Sequence, residues 1–242
     1  MTLLLLAGTR EAQEIARALA RKGRNVVASL AGVTRAPINL GVETRRGGFG
    51  GEEGFRAELD RLDITAVLDA THPFAHRISN RTARICAEMK MPYCQVLRPA
   101  WTAEDGDRWT FVAREQDVAA HVGSGQTVFL ATGRQTLHRF ENLGHARIIC
   151  RQIDPPEGPF PFPNGDFLIG RPPFPVEEEI KVFQSLDVNW LVVKNAGGHA
   201  SKSKLVAARE LGIDVAMIAR PPQPEGQKVA TVDDALAWVA AL

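Results

Sequence analysis

The sequence has few of the features that mark secreted, membrane-spanning or nucleic-acid-binding proteins. Its 242 residues include 3 cysteines, an odd number without metal-like spacing, so neither a disulfide framework nor a cysteine metal site is expected. No apolar stretch approaches the roughly 20 residues that cross a bilayer, and the run Leu3–Leu6 lacks the cationic flank of a signal peptide. The net charge of +1 is far from the basic excess of nucleic-acid binders. We expect a soluble cytoplasmic protein that binds neither membrane nor nucleic acid.

The scarcity of tyrosine excludes one class of dehydrogenase. Short-chain dehydrogenases require the pattern Tyr-x-x-x-Lys, but the only tyrosine is Tyr93 and Leu97 occupies the lysine position. A zinc site is also not expected. His72 and His76 have the i, i+4 spacing of some zinc ligands, but Pro73 lies between them and no third ligand is near in the sequence.

What is present is the pattern of a globular α/β protein, with 45% hydrophobic and 24% charged residues. Leu3–Leu6 is a continuous apolar run, which is typical of a strand covered on both faces. Apolar residues then recur at helical spacing as far as Ala20, Gly23 ends this helix, and residues 26–30 form the next strand. This order predicts parallel strands joined by a right-handed crossover.

The two halves of the chain are similar to each other. Four pairs of segments repeat in the same order at nearly constant offset: 2–23 with 127–140, 63–74 with 187–198, 83–99 with 207–221, and 109–122 with 227–239. Any α/β protein repeats βα units, but the Arg-Pro that ends both 83–99 and 207–221 is more specific than that periodicity requires. We predict an α/β fold of two Rossmann-like parallel-sheet domains with a cleft between them, residues 1–124 and 125–242.

Prolines are concentrated between residues 154 and 175. Proline fixes φ and lacks an N–H donor, so this segment cannot be a central strand throughout. Its phenylalanines favour packing against something. The segment is either a lid over a ligand or a structural wrap across the second domain, and the sequence leaves both open.

The turn after the first strand is a candidate phosphate site. Open α/β sheets bind ligands at the carboxyl ends of their strands, where helix N-termini point. Gly8 allows a tight turn there, and the backbone N–H groups of residues 9–12 can receive a phosphate. The complete G-x-G-x-x-G pattern is absent, so an ordinary βα turn is an equal alternative.

The end of the second strand favours NADPH over NADH. NAD-binding domains place an acid there, which binds the ribose 2′-hydroxyl. Ser29 occupies this region and Arg35 follows, and a hydroxyl with a guanidinium suits a 2′-phosphate. Arg45 adds positive charge before the glycine-rich residues 47–51. This stretch, in which Gly50 is a candidate cofactor-binding residue, either closes over the pyrophosphate or is a surface loop.

The strand at residues 66–70 ends beside Thr71 and His72. Pro73 fits the first turn of the helix that follows. Thr71 and His72 are therefore expected to face the crevice in which a nicotinamide would lie, although a capping or buried polar role stays open.

Seven segments carry a resemblance to a known family: LAGTREA (6–12), DATHPFA (69–75), QVLRPAW (95–101), ATGRQTL (131–137), GPFPF (158–162), KNAGGHASK (194–202) and MIARP (217–221). Together they resemble the precorrin-6A reductase family over essentially the whole chain. The resemblance implies NADPH-dependent reduction of a C=C bond of precorrin-6A, or of its cobalt complex, to precorrin-6B in cobalamin biosynthesis. It implies NADPH on the first domain, bound by Gly8, Thr9, Arg10, Glu11, Ser29, Arg35, Thr71 and His72. Whether the protein is a monomer or a homodimer stays open.

The substrate of this family is a tetrapyrrole-derived ring with many carboxylates, which requires several cations and N–H donors. The candidate substrate-binding residues are Arg98, Thr132, Gly133, Arg171, Lys194, Asn195, Gly197, Gly198, Lys202 and Arg220. Hydride transfer is the chemistry of the cofactor, so the expected catalytic residues are Thr71 and His72 for positioning and Lys194 as charge partner. His72, His199 and Lys194 are the candidate proton donors, with water as the alternative.

Two other function classes stay open. A methyltransferase that uses S-adenosylmethionine also has an α/β fold and a glycine turn, but it usually places an acid at the end of the second strand, and this acid is missing. The second alternative is a non-catalytic module that binds anionic metabolites.

Overall fold

The computed structural model describes residues 1–32 and 39–242. In this part of the chain, strands β1 to β12 form two sheets of 6 strands each, and the strand pairs are parallel. One compact unit comprises Met1–Pro99 with Pro221–Leu242, and the other comprises Ala100–Arg220. The prediction of an α/β fold with two Rossmann-like parallel sheets is confirmed.

The first unit contains one sheet with helices on both faces. Its strands are β1 (Thr2–Leu6), β2 (Val26–Leu30), β3 (Glu43–Arg46), β4 (Ile64–Asp69), β5 (Tyr93–Val96) and β12 (Gln227–Val229). Its helices are α1 (Arg10–Arg21), α2 (Gly51–Arg61), α3 (His76–Glu88) and α6 (Val232–Ala240). The strand order β12-β5-β4-β1-β2-β3 is that of a dinucleotide-binding domain, with the order reversing between β1 and β4.

The apolar run in β1 is covered on both faces, as its sequence predicts. Leu3 and Leu5 pack in a cluster with residues of α1 and α6, whereas Leu4 and Leu6 pack with Phe55 of α2 and residues of α3. Alternate residues of a strand point to opposite faces, so each face needs its own apolar row. A strand with helices on both sides is therefore apolar throughout.

The second unit repeats this strand order. Its strands are β6 (Trp109–Val112), β7 (Thr127–Leu130), β8 (Arg147–Gln152), β9 (Gly165–Ile169), β10 (Val188–Lys194) and β11 (Asp214–Ile218), arranged β6-β11-β10-β7-β8-β9. Its helices are α4 (Val176–Ser185) and α5 (Ser203–Leu211), with 3₁₀ segments at Glu115–Ala120 and Arg134–Leu143. The 3₁₀ segment after β7 takes the place that α1 has after β1.

Each sheet takes its sixth strand from the other half of the sequence. β6 pairs with β11, and β12 pairs with β5. The predicted division after Ser124 assigned β6 to the first domain and β12 to the second, and the structure corrects it. The chain passes between the units after Pro99 and after Arg220, so the two repeated Arg-Pro pairs mark the crossings. Proline has no N–H for a strand ladder, which suits it to the end of a sheet segment.

The proline-rich segment packs on its own unit. Its residues 165–169 form β9, an edge strand of the second sheet, where proline-flanked strands are tolerated. The ring of Phe160 lies 5.8 Å from that of Phe162 and 4.8 Å from that of Phe167. Phe174 packs against the guanidinium of Arg151, 4.3 Å from the ring centroid. These contacts are those expected of the structural wrap.

Candidate cofactor and substrate sites

The turn between β1 and α1 lies at the carboxyl edge of the first sheet. Gly8 has φ 145°, a conformation that strains residues with a side chain, and a Cβ placed there would meet no atom within 4 Å. The Thr9 hydroxyl donates to the Ala70 carbonyl at 2.7 Å and accepts from the Ala12 N–H at 3.2 Å. Thr9 thus caps α1 and ties the turn to the loop after β4. The result is an anchored turn with open space beside Gly8, which a phosphate requires.

Two predicted site residues beside this turn pair with each other. Arg98 Nη1 lies 2.8 Å from Glu11 Oε2, with the side chains 15% and 23% exposed. Arg98 was predicted to bind substrate, but within the first unit it lies against the predicted cofactor residue Glu11. The side chain of Arg10 pairs with Glu14 at the surface, and its backbone N–H lies in the first turn of α1.

The end of β2 brings a hydroxyl and a guanidinium together. Ser29 is buried, and Arg45 Nη1 donates to its Oγ at 2.8 Å. Arg45 also forms an ion pair with Glu58, with 3.0 Å between Nε and Oε1. The predicted partner Arg35 lies outside the described residues. Parallel pairing of β2 with β3 places Ser29 opposite Arg45, and this register is the signal that could have identified Arg45.

The glycine-rich stretch after β3 is held by the same arginine. Arg45 donates to the carbonyls of Gly47 and Gly48, each at 3.1 Å, and its guanidinium carbon lies 3.9 Å from the ring centroid of Phe49. Phe49 is buried, and Gly50, with φ 71°, leads into α2. This loop therefore has a fixed anchor on β3.

A buried carboxylate that the sequence analysis did not select orders the end of β4. Asp69 is fully buried and accepts from the Thr71 N–H and the Tyr93 hydroxyl, each at 3.0 Å. Burial, and secondly the nearby Asp69, raises the pKa of Tyr93, so the phenol stays a donor. The Thr71 hydroxyl lies 3.3 Å from that of Ser79. Asp69 is the first residue of the DATHPFA motif, and its position at a buried strand end is the signal that was missed.

His72 is also oriented by its own loop. Its Nδ1 accepts from the Phe74 N–H at 3.2 Å, which fixes the plane of the ring. Gln223 donates to the Pro73 carbonyl at 2.9 Å and accepts from Gln95 at 3.0 Å. Gln223 was not selected from the sequence. It reaches this loop because the C-terminal segment returns to the first sheet, which local sequence pattern does not reveal.

In the second unit, Lys194 lies at the end of β10 among charged residues. Its side chain is 17% exposed, with Nζ 3.9 Å from Glu115 Oε1 and 3.4 Å from the Thr136 hydroxyl. Glu115 is buried and also accepts from Arg139. Burial lowers the pKa of Lys194, while Glu115 opposes this shift. Lys194 is thus a partly desolvated cation that an incoming carboxylate would stabilise.

Asn195 and Arg220 hold loops of the second unit together. The Asn195 amide exchanges two hydrogen bonds with the backbone of Trp101, at 2.8 and 3.0 Å. Arg220 donates to the carbonyls of Asn195 and Ala196, at 2.6 and 2.9 Å. The Trp101 indole donates to the Gly198 carbonyl at 2.9 Å. The structure therefore gives the Asn195 side chain a scaffolding role in this unit.

The glycines predicted to approach substrate have backbone conformations that favour glycine. Gly133, Gly197 and Gly198 have φ 75°, 68° and 81°. A Cβ at Gly133 would meet no atom within 4 Å. The neighbouring Thr132 hydroxyl is buried and has no hydrogen-bond partner among the described residues. This turn is the counterpart of the Gly8 turn in the first unit.

Two predicted cations lie in surface ion pairs. Arg171 is 3.9 Å from Asp154, and its side chain is 49% exposed. Lys202 pairs with Glu104, which also contacts Arg209. Exposed pairs of this kind contribute little to stability.

The described residues also bear on metal and membrane binding. They contain no group of three or more His, Cys, Asp or Glu side chains placed to hold a metal ion.

Burial raises the pKa of the Cys86 thiol to about 12 and those of Cys94 and Cys150 to about 11, so these cysteines are unreactive thiols. None of the helices described here has the length and apolarity that crossing a membrane requires.

Comparison with known proteins identifies the family. The family model described as "Precorrin-6x reductase CbiJ/CobK" matches residues 2–240. The precorrin-6A reductase of Rhodobacter capsulatus is 41% identical, over 98% of this chain and 95% of that protein. A solved structure titled "CobK precorrin-6A reductase" is 40% identical with a TM-score of 0.95, covering 100% of this chain and 97% of its own. The cobalt-precorrin-6A reductase of Priestia megaterium is 28% identical, over 96% of this chain and 95% of that protein.

The resemblance inferred from the seven segments is thus confirmed, and the methyltransferase and the non-catalytic module lose their support. The chain belongs to the precorrin-6x reductase family of oxidoreductases.

Proposed function

We propose that this protein uses NADPH to reduce a carbon–carbon double bond of precorrin-6A, giving precorrin-6B in cobalamin biosynthesis. The first unit would bind NADPH, and the second would bind carboxylates of the substrate. The choice of NADPH as cofactor rests on the residues at the end of β2. A buried serine stands there with a guanidinium donating to it, where an NAD-binding domain has an acid.

The residues of the first unit fit a dinucleotide at three places. The open space beside Gly8 and the N-terminus of α1 suit the pyrophosphate. Ser29 and Arg45 suit a phosphorylated ribose. Thr71 and His72 follow β4, which neighbours β1 at the point where the strand order reverses. Ligands of open α/β sheets bind at this reversal, so these two residues are proposed to lie beside the nicotinamide.

When bound, NADPH supplies the hydride. The contribution of the chain is to position the reacting groups. The Asp69 carboxylate accepts a hydrogen bond from the Thr71 N–H, and the His72 ring accepts one from the Phe74 N–H. The Gln223 amide donates a hydrogen bond to the Pro73 carbonyl. These contacts make the loop after β4 rigid. We propose that Thr71 and His72 use this rigidity to fix the cofactor.

Lys194 is proposed to bind a carboxylate of the substrate. Its ammonium group is partly buried, 3.9 Å from Glu115 and 3.4 Å from the Thr136 hydroxyl, and burial disfavours its charged form, so a substrate carboxylate would stabilise it through a charge-assisted hydrogen bond. The backbone of Gly197 and Gly198 follows within the same loop. The stronger identity to a precorrin-6A reductase, 41%, than to a cobalt-precorrin-6A reductase, 28%, favours the cobalt-free ring as substrate.

The direct test is an anaerobic assay that follows oxidation of NADPH in the presence of precorrin-6A. We expect NADPH to be oxidised, and NADH to be oxidised much more slowly. With NADPH that carries deuterium at the nicotinamide C4, we expect the deuterium to appear in the product. Folded protein that oxidises no NADPH with either form of the ring would refute the proposal. Activity with the cobalt complex alone would refute the choice of substrate but retain the reaction.

The role of Lys194 has its own test. Lys194→Ala should reduce kcat/KM for precorrin-6A about 10- to 100-fold, the effect of one lost hydrogen bond to a charged group. Lys181→Ala is the matched control, because Lys181 is an exposed lysine of α4 in the same unit. An unchanged kcat/KM would remove Lys194 from the site.

A further inference from the structure

We infer that Arg45 is the residue that makes this protein select NADPH over NADH, by binding the 2′-phosphate itself and by orienting Ser29. The inference rests on the proposed function, because it assumes that the first unit binds the cofactor. It assigns to β3 a role that the sequence had suggested for Arg35.

The first step is the register of the two strands. β2 and β3 run parallel, with Ser29 opposite Arg45. Arg45 Nη1 donates to Ser29 Oγ at 2.8 Å, and a guanidinium has no acceptor, so the direction of this hydrogen bond is certain. The Ser29 hydroxyl keeps its proton for another acceptor. Arg45 therefore makes Ser29 a donor at the carboxyl edge of the sheet.

The second step is the rigidity of the guanidinium. Arg45 Nε donates to Glu58, Nη1 to the Gly47 carbonyl and Nη2 to the Gly48 carbonyl, while the group stacks on Phe49. With the Ser29 contact, four of its five N–H donors are used by described residues, which leaves one N–H of Nη2. A phosphate would meet an already oriented donor and lose little conformational entropy on binding.

The third step is the local charge. Glu58 is the acidic partner of both Arg45 and Arg61. Arg45 thus shares its carboxylate partner with a second guanidinium, so the positive charge that Arg45 holds beside Ser29 is only partly compensated by Glu58. A phosphate carries negative charge, whereas the 2′-hydroxyl of NADH carries none, so the cluster attracts the phosphorylated cofactor more strongly. Arg45 is the member of the cluster that touches Ser29, so the selectivity is assigned to it.

The test compares two variants of residues that share the same acid. Arg45→Met removes the guanidinium and keeps much of its apolar stem, and Arg61→Met removes the other partner of Glu58, which lies at the exposed end of α2. Titrations followed by nicotinamide fluorescence would give the Kd of NADPH and NADH, and displacement of NADPH would give the Kd of 2′,5′-ADP and 5′-AMP. Arg45→Met should weaken NADPH and 2′,5′-ADP about 10- to 100-fold, with little change for NADH and 5′-AMP. Arg61→Met should leave all four Kd values close to those of the wild type.

Two outcomes for Arg45→Met overturn the inference. One is an equal loss of affinity for all four ligands, which would mean that Arg45 only stabilises the conformation of the glycine-rich loop. The other is an unchanged ratio of the Kd values for NADPH and NADH. If Arg45→Met does not fold, Ser29→Ala decides. Ser29→Ala leaves the contacts of Arg45 to Gly47 and Gly48 in place and should raise the Kd of NADPH more than that of NADH. An equal change in the two Kd values, or no change in either, would overturn the inference.

The same measurements separate this inference from the proposed function. Wild-type protein that reduces precorrin-6A with NADPH, while Arg45→Met keeps the wild-type selectivity, would overturn the role of Arg45 alone. Wild-type protein that binds neither NADPH nor 2′,5′-ADP would overturn both.

Discussion

A buried ion pair in the second unit gives the sharpest prediction about stability. Arg151 of β8 and Glu179 of α4 form two contacts, 2.8 Å from Nη1 to Oε1 and 2.7 Å from Nη2 to Oε2. The side chains are 9% and 0% exposed. The Arg151 guanidinium also lies 4.7 Å from the ring centroid of Phe129 and 4.3 Å from that of Phe174. Glu179→Gln would leave this guanidinium buried between aromatic rings with no full counter-charge.

The structure gives the expected size of the effect. Removing one partner of a buried pair costs about 3–5 kcal/mol, because the other charge stays desolvated. Lys204 also faces Glu179, so its ammonium loses an attraction in the same variant. Against a total stability of roughly 5–15 kcal/mol, this is a large fraction. With a urea dependence of about 1–3 kcal/mol per molar, the unfolding midpoint of this unit should fall by on the order of 2 M.

Urea unfolding followed by tryptophan fluorescence measures this shift. Glu52→Gln is the control, because Glu52 pairs with Arg56 and Arg84 but its side chain is 39% exposed, and such pairs contribute about 1 kcal/mol or less. The double variant Glu179→Leu with Arg151→Met should recover most of the loss, since no unpaired guanidinium remains. If Glu179→Gln destabilises the protein no more than Glu52→Gln does, the reasoning from burial is refuted.

Three further predictions follow from single residues. Thr9→Ala should lower the free energy of unfolding by about 1–2 kcal/mol in urea titrations, because the cap of α1 and the hydrogen bond to the loop after β4 are lost. Thr9→Ser keeps a hydroxyl at this position and should retain most of the wild-type stability. Gly8→Ala should raise the Kd of NADPH in fluorescence titrations, because its Cβ would occupy the open space beside the turn, and it should also lower Tm, because φ 145° strains a residue with a side chain. Burial lowers the pKa of Lys204 to about 8 in the folded protein, against 10.5 ordinarily. Between these values the unfolded state binds more protons at this site, so the contribution of Lys204 to the free energy of unfolding grows with pH, whereas the buried thiols contribute the opposite slope above about pH 9. The difference in the free energy of unfolding between the wild type and Lys204→Met, measured in urea titrations, should therefore shift in favour of the wild type as the pH rises from about 8 to 10.

The sequence pattern indicated the strand–helix–strand layout at the start of the chain and its repetition in the second half. The unbroken apolar run of β1 required a strand covered on both faces, and the segments repeated after it predicted a second copy of the same layout. The glycine turn and the missing acid at the end of β2 located the candidate cofactor edge. These signals are local, because each depends on the spacing of residues within one strand, one helix or one turn.

Which residues meet depends on tertiary pairing, which the sequence pattern does not reveal. Nothing in the alternation of β6 or β12 specifies the sheet edge to which it adds, since an edge strand can pair with any exposed parallel partner, and so the division after Ser124 was misplaced. The contact of Arg45 with Ser29 depends on the register of β2 with β3, and that of Gln223 with Pro73 depends on the return of the C-terminal segment. These contacts join residues far apart in the chain, and their energy comes from packing and pairing that no local window of sequence contains.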